Sequence, residues 1–192
     1  MDASPPFSVP RTIALVGLMG AGKSAIGKRL ELRLGLPFVD ADDEIEHAAG
    51  CTIGEFFEKY GEAEFRAGER RVIARLLDEP PHVLSTGGGA YMDPETRGLM
   101  RAKAVTVWLR ADLDVLFERV RRRTHRPLLR QGDPREILGN LMNQRYPVYA
   151  EADIVVESTA QPADRTTEQT IEALRAYLQA PAACTQSTGN AA

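Results

Sequence analysis

Gly17-Leu18-Met19-Gly20-Ala21-Gly22-Lys23-Ser24 is the stretch whose reading decides the fold. It follows the apolar, β-compatible run Thr12-Ile13-Ala14-Leu15-Val16 and opens a segment of helical periodicity that carries Leu30, Leu32 and Leu34. Strand, glycine-rich turn and helix, in that order, form the context in which the pattern G-x-x-x-x-G-K-[ST] binds phosphate. Glycines let the backbone curl so that successive N–H groups point inward, and the helix N-terminus adds partial positive charge. The segment Gly20, Ala21, Gly22, Lys23, Ser24 and Ala25 is therefore expected to cradle the phosphates of ATP. Lys23 is expected to reach the β- and γ-phosphates, and the Ser24 hydroxyl to hold Mg²⁺. By itself this loop does not separate a kinase from an ATPase, a GTPase or a switch.

Outward from the loop, short apolar runs recur at 37–39, 83–84, 105–109 and 154–156. Between them lie helical patterns over 23–34, 43–49, 53–60, 62–77, 94–100, 113–122, 134–149 and 166–178. Such alternation predicts an α/β fold in three layers, a parallel sheet with helices on both faces. With 192 residues the chain is sized for one domain, expected over 1–180. The polar, basic stretch at about 122–134 holds Pro127 and Gly132 between two helices, as a mobile lid would. Residues 181–192 are small and polar and are expected to be a disordered tail.

Composition narrows the function. A net charge of −3 disfavours a general nucleic-acid binder, and no stretch nears the roughly 20 apolar residues that a membrane span needs. Met1 to Pro10 lack the order of a signal peptide, so the expected compartment is the cytoplasm. Cys51 and Cys184 are read as structural, and His47, His82 and His125 have no metal-like spacing. Trp108 reads as sheet core. Basic charge is local, at Arg119, Arg121, Arg122, Arg123, Arg126 and Arg130, which suggests a small anionic ligand rather than a solvated helix face. On the acceptor side, Asp40-Ala41-Asp42-Asp43-Glu44 follows the second apolar run. Alternate residues leaving a strand end would bring Asp40 and Asp42 to one site, while Asp43 and Glu44 read as helix-capping charge.

Six separated motifs then act together: Gly17 to Ser24, Asp40-Ala41-Asp42, Glu64-Phe65-Arg66 with Glu69, Thr86-Gly87-Gly88-Gly89, Arg126-Pro127-Leu128-Leu129 and Arg145-Tyr146-Pro147-Val148-Tyr149. In residues, order and spacing, over about 12–157, they closely resemble the shikimate kinase family. The resemblance implies a nucleoside-monophosphate-kinase-like P-loop fold with a five-stranded parallel sheet. It also implies ATP-dependent, Mg²⁺-assisted phosphorylation of the shikimate 3-hydroxyl by a monomer, on the route to chorismate and aromatic amino acids.

Carried over motif by motif, Lys23, Asp42 and Arg126 would be catalytic, with Asp42 the candidate base. Asp40 would support Mg²⁺ beside Ser24. Arg66 and Arg145 would clamp the substrate carboxylate, since a planar guanidinium makes paired, charge-assisted hydrogen bonds that lysine cannot copy. Glu69, three residues past Arg66 on a predicted helix, would orient that arginine. Gly87, Gly88 and Gly89 would let the substrate ring approach the backbone. Arg126 would close onto the transferring phosphate from the lid, and Arg119 would stack on adenine. One departure is visible: 158–162, Ser-Thr-Ala-Gln-Pro, lacks the basic residue the family often places in its adenine loop. The rival readings are a kinase of another small hydroxy acid such as gluconate, and a nucleotide-binding module without catalysis.

Overall fold

The computed structural model describes residues 7–122 and 133–180. Five strands form a single sheet: β1 (Thr12–Val16), β2 (Phe38–Asp40), β3 (Val83–Ser85), β4 (Ala104–Arg110) and β5 (Ile154–Glu157). They run parallel in the order β2-β3-β1-β4-β5. Each return to a parallel neighbour needs a crossover, which is why helices separate the strands. The helices are α1 (Lys23–Leu34), α2 (Ala41–Ala49), α3 (Ile53–Leu76), α4 (Pro94–Lys103), α5 (Leu113–Arg121), α6 (Pro134–Tyr149) and α7 (Ala163–Gln179). All five residues of β1 are buried, as a strand covered on both faces requires.

The connection after β1 leads toward the β2 edge and the one after β4 toward the β5 edge. Their carboxyl ends therefore part at a topological switch point, where ligands of open α/β sheets bind. The phosphate loop leaves β1 there. Gly17, Gly20 and Gly22 all have positive φ, of 138°, 83° and 98°, and a Cβ on Gly17 would come within 2.8 Å of the Leu109 carbonyl oxygen. Only glycine fits such a turn against the neighbouring strand.

Some expected boundaries shift. One holds: the helices predicted over 53–60 and 62–77 part at Gly61 (φ 77°, ψ 176°), whose non-helical backbone kinks the α3 span between them. Helix α7 begins three residues before the predicted 166, directly after Pro162, and α2 begins at Ala41 rather than 43 because Asp40 caps it. Trp108 lies in the core, 4% exposed, as expected. Most of the lid expected over 122–134, including Arg126, and the tail over 181–192 with Cys184 lie outside the described residues. No helix among the described residues is long and apolar enough to cross a membrane.

Candidate active site

A cavity of about 550 Å³ opens over the phosphate loop at the switch point. Gly20, Gly22, Lys23, Ser24 and Ala25 form one side of it, and Asp40, Asp42 and Gly88 another. Arg119, Arg122 and the loop carrying Ser158, Ala160 and Gln161 close the remainder. Positive and negative groups thus face each other across a space large enough for a nucleotide. The Lys23 ammonium donates to the carbonyls of Gly17 (2.8 Å) and Leu18 (3.1 Å) and so lies along the loop. Ala21 is buried beneath the cavity rather than on its wall.

Asp40 and Asp42 meet for a reason other than strand alternation. Asp40 ends β2 and is the N-cap of α2, while Asp42 sits inside the first turn of that helix. One carboxylate oxygen of Asp40 accepts from the Asp42 backbone N–H (3.2 Å), and the other accepts from the Ser24 hydroxyl (2.8 Å). A single side chain therefore starts a helix and ties it to the phosphate loop. The capping expected of Asp43 and Glu44 falls to Asp40 instead, and Glu44 pairs with Arg75 at 2.6 Å. Asp43 has its carboxyl raised above the usual range by burial and then by the charge of Asp40.

The Ser24 hydroxyl beside a carboxylate also suits a hydrated Mg²⁺, which takes one or two protein oxygens and draws its remaining ligands from water and phosphate. Among the described residues no group of three or more His, Cys, Asp or Glu side chains could hold a metal ion.

Past the inner end of the cavity, each of three consecutive glycines faces one candidate acceptor-binding side chain. A Cβ on Gly87 would lie 2.8 Å from Asp42 Oδ1 and 3.1 Å from Glu69 Oε1. Arg145, on α6, donates through Nη1 to the Gly88 carbonyl at 2.9 Å. A Cβ on Gly89 would meet the Arg66 guanidinium at 2.5 to 2.7 Å. The bareness expected to admit a substrate ring is occupied here by the protein's own ionic groups, which the missing side chains allow to converge. Asp42, Arg66 and Arg145, from three different helices, share one short loop.

Glu69 holds Arg66 as its spacing suggested: Nη1 donates to Oε2 at 2.6 Å, and Glu62 adds a contact of 3.3 Å to Nη2. Both partners of this pair are shifted upward, for different reasons. Burial leads for Glu69 and lifts its carboxyl above the usual range, with the attraction of Arg66 only partly offsetting it. Burial also acts first on Arg66, yet the charge and hydrogen bond of Glu69 outweigh it and hold the guanidinium more basic than usual. The direction for Glu69 follows from its 2% exposure, since one guanidinium does not replace the water lost on all sides.

Arg119 is held between two loops by its guanidinium. Its Nη1 donates to Ser158 Oγ (2.9 Å) and the Gly20 carbonyl (3.2 Å), and its Nη2 to the Thr159 carbonyl. It ties the β5–α7 loop to the phosphate loop, and burial lowers its basicity. Ser158 was missed as a site residue. It is 2% exposed and donates to the Ala21 carbonyl at 2.7 Å. The only hint in the sequence was that this loop lacks its usual basic residue.

A phosphate loop facing a carboxylate edge at the switch point of a parallel sheet defines a P-loop phosphotransferase. Comparison with known proteins narrows the class: the family model described as shikimate kinase matches residues 19–175. A shikimate kinase of Paramagnetospirillum magneticum is 60% identical over 170 residues, 88% of this chain and 87% of that one. A shikimate kinase of Bradyrhizobium diazoefficiens is 58% identical over 168 residues, 88% of this chain and 81% of its own. Among solved structures, the shikimate kinase of Acinetobacter baumannii in complex with shikimate superposes with a TM-score of 0.83 at 37% identity, covering 91% of this chain and 98% of that one. The chain belongs to the shikimate kinase family.

Proposed function

We propose that the protein transfers the γ-phosphate of ATP to the 3-hydroxyl of shikimate, giving shikimate 3-phosphate and ADP, on the route to chorismate and aromatic amino acids. The observation that carries this reading is the meeting of Asp42, Arg66 and Arg145 on the Gly87 to Gly89 loop beside the phosphate-loop cavity. Two guanidiniums and a carboxylate suit an acceptor with a carboxylate at one end and hydroxyls at the other. Arg66 and Arg145 grip the carboxylate through charge-assisted hydrogen bonds. Asp42 accepts from the acceptor hydroxyl and takes its proton as the phosphoryl group arrives.

The backbone from Gly20 to Ala25 and the Lys23 ammonium hold the nucleotide phosphates. Mg²⁺, when bound with the nucleotide, neutralises phosphate charge, and Ser24 with Asp40 would hold it. Arg126, on its motif alone, adds positive charge at the transferring phosphate. Arg119 lies against adenine while keeping the nucleotide loop and the phosphate loop together. The reading includes a monomer working in the cytoplasm with no nucleic-acid or membrane partner. The Arg66 and Arg145 pair would also greet gluconate, so acceptor identity needs its own test. Incubation with Mg·ATP and shikimate, followed by phosphorus–proton correlated NMR of the product, should place the phosphate on the C3 oxygen. Phosphate on another oxygen, or on none, would overturn the assignment.

A further inference from the structure

Arg145 and Tyr149 lie four residues apart on α6 and so project from one face of it. Both donate to the same acceptor. The Gly88 carbonyl oxygen receives Arg145 Nη1 at 2.9 Å and the Tyr149 hydroxyl as a second, short hydrogen bond. A carbonyl has two lone pairs, so neither donor displaces the other.

Tyr149 cannot drift. It is 1% exposed, and its ring is stacked near Tyr91 (centroids 6.2 Å apart, 22° between planes) and tilted against Trp108 (5.9 Å, 31°). Gly88, by contrast, lies between two other glycines, the least restrained backbone a chain can offer. A fixed phenol bonded to that carbonyl, beside the turn bonds from the Ala90 N–H to the Gly87 carbonyl and the Met92 N–H to the Gly89 carbonyl, sets its position. Arg145, bonded to the same oxygen, inherits the position.

We infer that Tyr149 is a positioning residue for acceptor binding: through the shared Gly88 carbonyl it fixes the guanidinium of Arg145 where a substrate carboxylate is to be gripped. This deepens the proposed reaction and rests on it. Burial pushes the phenol up to about 12, so it remains a donor at any pH at which a cell works. Its charge never enters the reaction.

The test is Tyr149→Phe, which removes one hydroxyl and leaves the aromatic packing in place. With shikimate as acceptor, KM for shikimate should rise about tenfold, while KM for ATP and kcat stay within about twofold. Two further measurements separate positioning from general damage. With a shikimate analogue carrying hydroxymethyl in place of the carboxylate, wild type and variant should share one KM. In an Arg145→Lys background, adding Tyr149→Phe should change the shikimate KM little further, because the guanidinium it aims is gone.

Equal rises in both KM values, an unchanged shikimate KM, full additivity with Arg145→Lys, or a variant that does not fold would each make Tyr149 structural and overturn the inference. A wild-type protein that does not phosphorylate shikimate would remove the proposed reaction along with it. Wild-type turnover beside an unaltered Tyr149→Phe would remove the inference alone.

Discussion

Asp42 is one residue into a helix whose cap, Asp40, also binds the phosphate loop, and that placement sets what a substitution there does. Asp42→Asn keeps the size of the side chain and the backbone N–H bond to Asp40 but loses the base. Its kcat should fall at least about a hundredfold while ATP affinity, read by calorimetry, stays within about twofold; equal loss of both would contradict the role. Glu69 makes a subtler case. Its carboxyl is raised above the ordinary value by burial, so its contribution to stability is complete below the ordinary value of 4.5 and is lost as pH rises through the folded value. At neutral pH its charge therefore costs stability. Glu69→Gln should melt no lower than wild type at pH 7, since Arg66 keeps Glu62, yet its shikimate KM should rise several-fold. A lower melting temperature with an unchanged KM would show that the pair serves the fold and not the site. At this scale the sequence is most informative for Lys23 and Ser24, whose types and spacing in the phosphate loop state their chemistry, while Asp42 and Arg66 are singled out by the family resemblance. It was silent on Ser158, because a serine in a turn has many uses and only its burial against Ala21 shows this one.

Among the elements, the strands and helices follow from periodicity, and their junctions do not. The two carboxylates after β2 look like alternating strand residues, but a cap at Asp40 turns the chain into α2 two residues earlier than the apolar pattern reveals. At Gly61, by contrast, the break between two helical patterns is where the backbone leaves helical geometry. The three-glycine loop after β3 has the sharpest consequence. A methyl group on Gly87 would sit 2.8 Å from Asp42 Oδ1, and the far end of a side chain gives way more cheaply than backbone. Gly87→Ala should therefore fold with a melting temperature near that of wild type while kcat drops at least about tenfold, through displacement of the base. Normal kcat in the folded variant would mean that the carboxylate position does not matter. Which protein groups fill the space above these glycines could not be read from the chain, because Asp42, the Arg66–Glu69 pair and Arg145 are distant from one another in sequence and only the fold brings them together.

For the whole molecule, the buried aromatic group around Tyr149 links stability to alkaline pH. The phenol rises from an ordinary 10.0 to about 12, chiefly through burial. Its share of stability, on the order of 2 to 3 kcal/mol, is fully present below pH 10 and is lost as pH climbs from 10 through about 12. Urea melts at pH 9, 10.5 and 11.5 should show that loss, and Tyr149→Phe should lack this part of it; identical pH profiles would remove Tyr149 as the source. The parallel sheet was legible in the alternation of apolar runs with helical patterns, and the family in six motifs acting together, whereas the switch point needs the strand order. Acceptor identity is where the reading is most exposed. The most direct measurement is ADP release with Mg·ATP against shikimate, quinate and gluconate in parallel. The expected result is turnover with shikimate at a kcat/KM at least about a hundredfold above either alternative, because the arginines grip the carboxylate common to all three and only the placement of the acceptor hydroxyl at Asp42 separates them. Turnover with gluconate and none with shikimate would contradict it.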